Sequence, residues 1–335
     1  MAHGLLRDGD ALVTFHGFIF YVFGYHHPDG GYSAFLKYVP EEHAPLFDVE
    51  WLNIRWRLRG STLLRPRELY SPEAYPKLVE AFRRRFSDYL RYSRQLGRWM
   101  LVVPKKLVDE VYMPSRQLML LMGRGPSDPL EERALSLIRL LSEASAVPLG
   151  FFGVHGSISL GMHHEGSDID IAVYGGSHFR RVKEALIELE AEGSLSLKRE
   201  TRHERKRMNR GVFEATDFVV NATRRYSEVP RVSPIFTPIR EVEVECRCVS
   251  ADEAAFRPAI YRVEGCEGVG GDDPRVEDVS QVVSMIGLYR DVVEAGESLR
   301  ARGVLEEAVE RPDAAYLRVV VGSGSPGEYL DWLGS

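Results

Sequence analysis

At 335 residues the chain exceeds one typical domain, so two or three domains are expected. Its 44 per cent apolar and 27 per cent charged residues describe a core-forming chain and exclude wholesale disorder. A formal charge of −6 excludes a global basic field, so any contact with nucleic acid must be local. The start, "MAHGLLRDGDALV", lacks a basic region followed by an apolar stretch and a cleavage site. The most apolar window, "FIFYVFGY", is far shorter than the ~20 residues that span a bilayer, so no membrane partner is expected. Three cysteines, Cys246, Cys248 and Cys266, cannot form a closed disulfide framework. They lead us to expect free thiols, a reducing compartment and a cytoplasmic protein.

The elements then follow in chain order. "ALVTFHGFIFYVFGYHHPDGGYSAFLKYVP" is aromatic and β-branched with Gly and Pro punctuation, and reads as a β-meander. "WLNIRWRLRG" alternates strictly, predicting a strand with Leu52, Ile54, Trp56 and Leu58 on one face. Its arginine-lined other face suits phosphates or, more plainly, solvent. From Ser71 as N-cap and Pro72 in the first turn, a helix is predicted through "SPEAYPKLVEAFRRRFSDYLRYSRQLG", carrying Leu78, Phe82 and Phe86. "WMLVVP" reads as a strand and "KKLVDEVYMP" as a short helix. In "SDPLEERALSLIRLLSEAS", Asp128 is the predicted N-cap, Pro129 the first helical residue and Glu131 the capping-box partner.

A further helix is predicted after Gly176, with Phe179, Val182, Leu186 and Leu189 buried and Gly193 as its stop. "TDFVVNA" reads as a strand. The Pro-rich link "EVPRVSPIFTPIR" marks a domain boundary. Beyond it "EVEVECRCVS", "RPAIYRVE", "VVSMIGLYR" and "YLRVVVGS" are short strands, the first burying Cys246 and Cys248, and "ESLRARGVLEEAV" fits helix or strand equally.

The chemistry concentrates in "GVHGSISLGMHHEGSDIDIAVYGG", residues 153–176. Asp is a poor strand former, yet Asp168 and Asp170 stand two apart in an apolar strand, where alternate residues share a face. Two neighbouring carboxylates repel, and Mg²⁺, a hard ion held by carboxylates and substrate phosphates, would offset that cost. Gly156 lets the backbone approach a ligand closely, Ser157 adds a hydroxyl, and the short helix that follows would present free N–H groups to an anion. Carboxylates plus an anion-binding turn suit a metal-chelated nucleoside triphosphate such as ATP. His155, His163 and His164 flank the motif and read as loop residues at the pocket rim rather than zinc ligands. No Walker A, dinucleotide or Ser-His-Asp signature is present.

Gly156-Ser157, ten further residues and Asp168-Ile169-Asp170 resemble the motif of the nucleotidyltransferase superfamily that includes DNA polymerase beta, poly(A) polymerases and CCA-adding enzymes. More loosely, "LRDGDALVTFHGFIFYVFG", "SDIDIAVYG", "RKRMNRGVF" and "RPAIYRV" resemble archaeal and bacterial proteins described as predicted nucleotidyltransferases. The resemblance implies an α+β multidomain protein with a mixed sheet flanked by helices. To this the sequence adds an N-terminal β-rich domain (1–70), a helical segment and nucleotidyltransferase core (71–232), and a C-terminal β-rich domain (233–335) built as a small β-barrel or sandwich.

The resemblance also implies two Mg²⁺ ions, with Mn²⁺ as a substitute, held by Asp168, Asp170 and a third carboxylate on a later strand. Asp217 in "EATDFVVNAT" is the first candidate for it and Glu214 the second. Gly156 and Ser157 would contact the triphosphate. The basic stretch "KRETRHERKRMNR", Lys198 to Arg210, has seven Lys or Arg against two Glu. It would steer the nucleotide through Arg205 and Lys206, grip RNA or another nucleic acid, or simply be solvated. Three functions are weighed: transfer of a nucleoside monophosphate to an unknown hydroxyl, a catalytically inactive nucleotide- or RNA-binding module on the same fold, and AMP transfer onto a protein.

Overall fold

The computed structural model describes residues 5–68, 73–93, 98–230, 234–270, 273–311 and 314–334. The expected cap at Ser71 and Pro72, and 231–233 of the Pro-rich link, lie outside them. The chain divides into two units. One comprises Met1–Tyr92, Trp99–Glu200 and Met208–Tyr226; the other comprises Ser93–Arg98, Thr201–Arg207 and Ser227–Ser335.

The first unit begins with strands β1 (Ala11–Thr14), β2 (Ile19–Val22), β3 (Gly31–Pro40), β4 (Trp56–Leu58) and β5 (Ser61–Leu64). Helix α1 (Ala74–Arg85), β6 (Leu90–Ser93), β7 (Arg98–Pro104) and β8 (Val108–Tyr112) follow. The sheet runs β4-β5-β3-β2-β1-β8, and β7 also pairs with β3. On one face Phe18, Phe20, Phe82, Phe86 and Tyr89 form an aromatic core, with Phe18 and Phe86 edge to face at 4.8 Å. On the other face Tyr21, Tyr38, Trp56 and Leu63 pack with Leu160 and Met162 of the motif segment.

Three expectations need correction here. The alternation in "WLNIRWRLRG" becomes strand only at Trp56–Leu58, with Ile54 41 % exposed. Trp56 is buried there, 5.1 Å from the Tyr38 ring, with Leu52 and Leu58 partly buried against the same cluster, so Ile54 is the apolar position of that face left to solvent. Its arginines enter exposed ion pairs, Arg55 with Glu41 and Arg59 with Asp109 and Glu110. Helix α1 stops at Arg85, because Phe86 and Tyr89 turn into the aromatic core and β6 pairs with β7. "KKLVDEVYMP" is strand β8 rather than helix, since Val108 and Val111 pair with Thr14 and Leu12 of β1.

Next come α2 (Pro114–Arg124), α3 (Pro129–Ser145), β9 (Phe152–Val154), α4 (Gly156–Leu160) and β10 (Ile169–Tyr174). They are followed by α5 (Gly176–Ala191), β11 (Ser196–Leu197), α6 (Arg202–Arg207), β12 (Arg210–Phe213) and β13 (Thr216–Thr223). Asp128 caps α3, its Oδ1 accepting from the Leu130 and Glu131 amides at 2.9 and 3.0 Å. Glu131 departs from the expected capping box, accepting instead from the Ser127 amide at 2.8 Å. The sheet order is β11-β12-β13-β10-β9. Strands β10 and β13 are parallel and the other pairs antiparallel, so this is a mixed sheet. Leu137, Ile138 and Leu141 of α3 and Phe179, Val182, Leu186 and Leu189 of α5 are buried, as their helical spacing predicts.

The second unit holds α6 together with β14 (Ile235–Glu253), β15 (Ala259–Gly268), β16 (Val279–Ser284), β17 (Ser298–Arg311), β18 (Ala314–Val321) and β19 (Tyr329–Leu333). The order is β14-β15-β16-β18-β17-β19, and β14 also pairs with β17, which closes five strands into a ring. The ambiguous "ESLRARGVLEEAV" is strand β17, with Leu299, Ala301 and Leu305 turned into the core. Cys246 on β14 is bonded to Cys266 on β15, which corrects the expectation of free thiols. A register shift between Glu245 and Arg247 sets the two side by side, a long-range pairing invisible in the spacing of three cysteines. Cys248 stays free and buried. Among the described residues no helix is long and apolar enough to cross a membrane.

Candidate active site

The site grows from three short stretches of the mixed sheet. Strand β9 leads through His155 to Gly156, where φ is +65°, a conformation that glycine adopts at little cost. A Cβ at Gly156 would overlap a carboxylate oxygen of Asp170, so the turn presses its backbone against that acid. The His155 amide donates to the Asp170 carbonyl at 2.8 Å, which locks the turn onto β10. His155 Nε2 donates to the Gly9 carbonyl at 2.7 Å and its ring lies 4.9 Å from Tyr21, so this histidine fastens the turn to the N-terminal strands. Ser157 is half-buried on α4. That helix has only five residues, so Gly156's close approach is the turn's main feature.

Parallel pairing decides which acids meet. Ile169 lies opposite Phe218 and Asp170 opposite Val219, so Asp168 and Asp217, each one residue earlier, begin the same register. Neighbours in register share a face, and alternate residues do too. Asp168, Asp170 and Asp217 therefore occupy one face, while Ile169, Ile171, Phe218 and Val220 are buried on the other. Glu214 sits in the turn between β12 and β13, exposed, with φ +46°. Of the two third-carboxylate candidates, only Asp217 shares that register.

Cations line the same face. Arg210 pairs with Val219 across β12 and β13, and the Lys198 amide donates to the Arg210 carbonyl at 2.9 Å. Lys198, Arg210, Val219 and Asp170 thus form one row across the sheet. Lys198 Nζ is 2.6 Å from Asp217 Oδ2, and this bond holds the lysine above its usual range. Asp168 is raised by burial, then by Asp170 and Asp217, against the pull of Arg210 and Lys198. Asp170 is raised by burial, against Lys37, Arg65 and Arg210. The acids repel one another and the chain's cations offset that only in part, so the donor set fits a hard divalent cation.

The other predicted residues lie elsewhere. Arg205 and Lys206 are on α6, counted with the second unit, where Lys206 pairs with Glu297 at 2.5 Å and Glu294 at 3.7 Å. On the same helix Arg202 pairs with Asp331 at 2.6 Å and lies over Trp332 at 3.8 Å. Composition alone marks Lys198–Arg210 as one basic block; it is the β11–β12 pairing that brings its two ends, Lys198 and Arg210, to the acids' face. Lys37 and Arg65 carry no local signal at all.

A second polar cluster joins Asp128, Glu131 and His163, whose ligand atoms lie within 4.8 Å of one another. Each carboxylate is already engaged. Asp128 caps α3 and accepts from His163 Nε2 at 2.8 Å, and Glu131 pairs with Arg124 and accepts from Ser127. His163 thus ties the motif loop to the start of α3.

The family model described as "Nucleotidyltransferase domain" matches residues 139–219, from within α3 to β13, and includes both aspartates of the motif and Asp217. An uncharacterized protein of Methanocaldococcus jannaschii is 29 % identical over 95 % of this chain and 96 % of its own. No solved structure matches significantly. Motif, sheet order and family match coincide on the same stretch: residues 139–219 match the nucleotidyltransferase domain model.

Proposed function

We propose that this protein transfers a nucleoside monophosphate from a nucleoside triphosphate to a hydroxyl acceptor, with release of pyrophosphate. One observation carries the reading: three aspartates from two parallel strands share a face beside a glycine turn packed against one of them. Asp168, Asp170 and Asp217 would hold Mg²⁺ or Mn²⁺, which when bound neutralises charge on the phosphates during in-line displacement. Gly156 and Ser157 would accept the triphosphate at close range. Asp217, the acid supplied by the second strand opposite Asp168, is assigned to take the acceptor's proton. Lys198 and Arg210, rather than Arg205 and Lys206, are assigned to the phosphates, because they stand in the row with Asp170. An RNA grip by the whole Lys198–Arg210 segment is less supported, since Arg202 and Lys206 are engaged with the second unit's acids.

The binding-module alternative has one observation in its favour, the ion pair of Lys198 with Asp217. Turnover requires Lys198 to release Asp217 to the metal. Asp170→Asn keeps the size and removes the charge, so it is expected to abolish pyrophosphate release from labelled triphosphate while the fold persists. Pyrophosphate release retained in that variant would refute catalysis. A wild-type protein that binds nucleotide with Mg²⁺ but releases no pyrophosphate with RNA, DNA, protein or small hydroxyl acceptors would favour the binding module.

A further inference from the structure

The N-terminal sheet contributes cations to a site that the nucleotidyltransferase motif does not account for. Ile19 of β2 pairs with Tyr38 of β3, but Phe20 pairs with Leu36, leaving Lys37 as an extra residue. Such a bulge re-aims side chains, so consecutive residues can face the same way. Tyr38 is buried with Leu160 and Met162 of the motif segment. Lys37 Nζ lies 5.4 Å from the Tyr21 ring centroid, and Tyr21 meets the His155 ring edge to face. Both side chains therefore turn toward the strand-and-turn that carries His155 and Gly156.

Arg65, just past β5, hydrogen-bonds Tyr38, yet its Nε is buried with no hydrogen-bond partner. An orphaned buried donor is costly and calls for an acceptor. The fields of Lys37 and Arg65 are the strongest cationic ones at Asp170, ahead of Arg210. Two cations from another sheet, one with an unanswered donor, thus lie beside the turn that carries His155 and Gly156. Charge compensation of Asp170 explains their presence, but it leaves the Arg65 Nε without a partner.

We propose that Lys37 and Arg65 form a phosphoryl-binding subsite on the N-terminal sheet, beside the His155–Gly156 turn. The guanidinium would grip a phosphoryl oxygen through Nε and a terminal nitrogen, and the ammonium would add a point charge. The assignment to a reaction rests on the nucleotidyltransferase reading above. The phosphoryl group belongs either to the triphosphate or to an acceptor that itself carries a phosphate.

The test measures binding of a non-hydrolysable ATP analogue with Mg²⁺, and of inorganic phosphate to the analogue-loaded chain. It compares wild type with Lys37→Ala/Arg65→Ala, with thermal melting as the fold control. Loss of a charge-assisted contact predicts analogue binding on the order of 10- to 100-fold weaker if the subsite holds the triphosphate. Unchanged analogue binding with phosphate binding lost supports the subsite and assigns it to the acceptor. Both affinities unchanged would overturn it. A wild type that binds phosphate through these residues but no analogue would retain the subsite and sink the nucleotidyl reading. Should the double variant unfold, Lys37→Met, which keeps the stem over Tyr21, and Arg65→Gln take its place under the same outcomes.

Discussion

Gly156 carries two constraints at once, a left-handed backbone and the carboxylate of Asp170 where a side chain would go. Gly156→Ala is expected to cost about 1–3 kcal/mol in stability, from backbone strain and the displaced acid. Urea unfolding checks the first effect, and Mg²⁺-dependent nucleotide affinity, expected to fall with it, checks the second. Asp10 is a different kind of acid. It is 1 % exposed, accepts from the Arg7 amide at 2.9 Å, and burial pushes it up to about 7. A carboxyl raised in the fold stabilises below its ordinary value near 4, and that contribution is lost as pH rises through about 7. Asp10→Asn is therefore expected to be more stable than wild type at pH 8, by at most on the order of 4 kcal/mol, with the gap narrowing toward pH 4. Unfolding midpoints of both proteins at several pH values measure it, and a gap constant with pH would contradict the assignment.

Among the elements, α3 depends on Asp128, which caps two amides and anchors His163 of the motif loop. Asp128→Ala is expected to lose about 1–2 kcal/mol, a typical cap contribution with one charged contact added. Denaturant unfolding tests this. What could be read from the sequence follows from how local each element is. The motif is a strand, a turn and a strand within 24 residues, so the spacing of Gly156, Ser157, Asp168 and Asp170 suffices to expect it. The stripes of α3 and α5 are equally local. Strand β8 is not legible locally, because "KKLVDEVYMP" has helical composition and only its pairing with β1 makes it extended. Helix α2 had no expectation at all; its buried Leu118 and Leu121 sit among exposed Met119, Leu120 and Met122, so its sequence shows no clear stripe. That Asp217, Lys198 and Arg210 belong to the motif's face follows from the order β11-β12-β13-β10, a fact of topology that no local pattern carries.

At the scale of the whole molecule, two patterns bear on partners. A closed five-stranded ring is an architecture shared by oligonucleotide-binding barrels, yet residues 234–335 carry 20 Asp or Glu against 10 Arg and no Lys. That balance opposes a phosphate backbone, and fold alone assigns no ligand. The basic helix α6 meets this acidity through Lys206 and Glu297, a half-buried pair. Lys206→Ala is expected to cost about 1 kcal/mol in stability. A tenfold loss of nucleotide affinity in the same variant would instead return Lys206 to the nucleotide site.

The position of the metal tests the central assignment most directly. Crystals grown with Mn²⁺ and a non-hydrolysable triphosphate should show anomalous scattering between Asp168 and Asp170, with Asp217 turned from Lys198 toward the ion. Anomalous density at Asp128, Glu131 and His163 instead, or none near the paired aspartates while nucleotide is bound, would contradict the account.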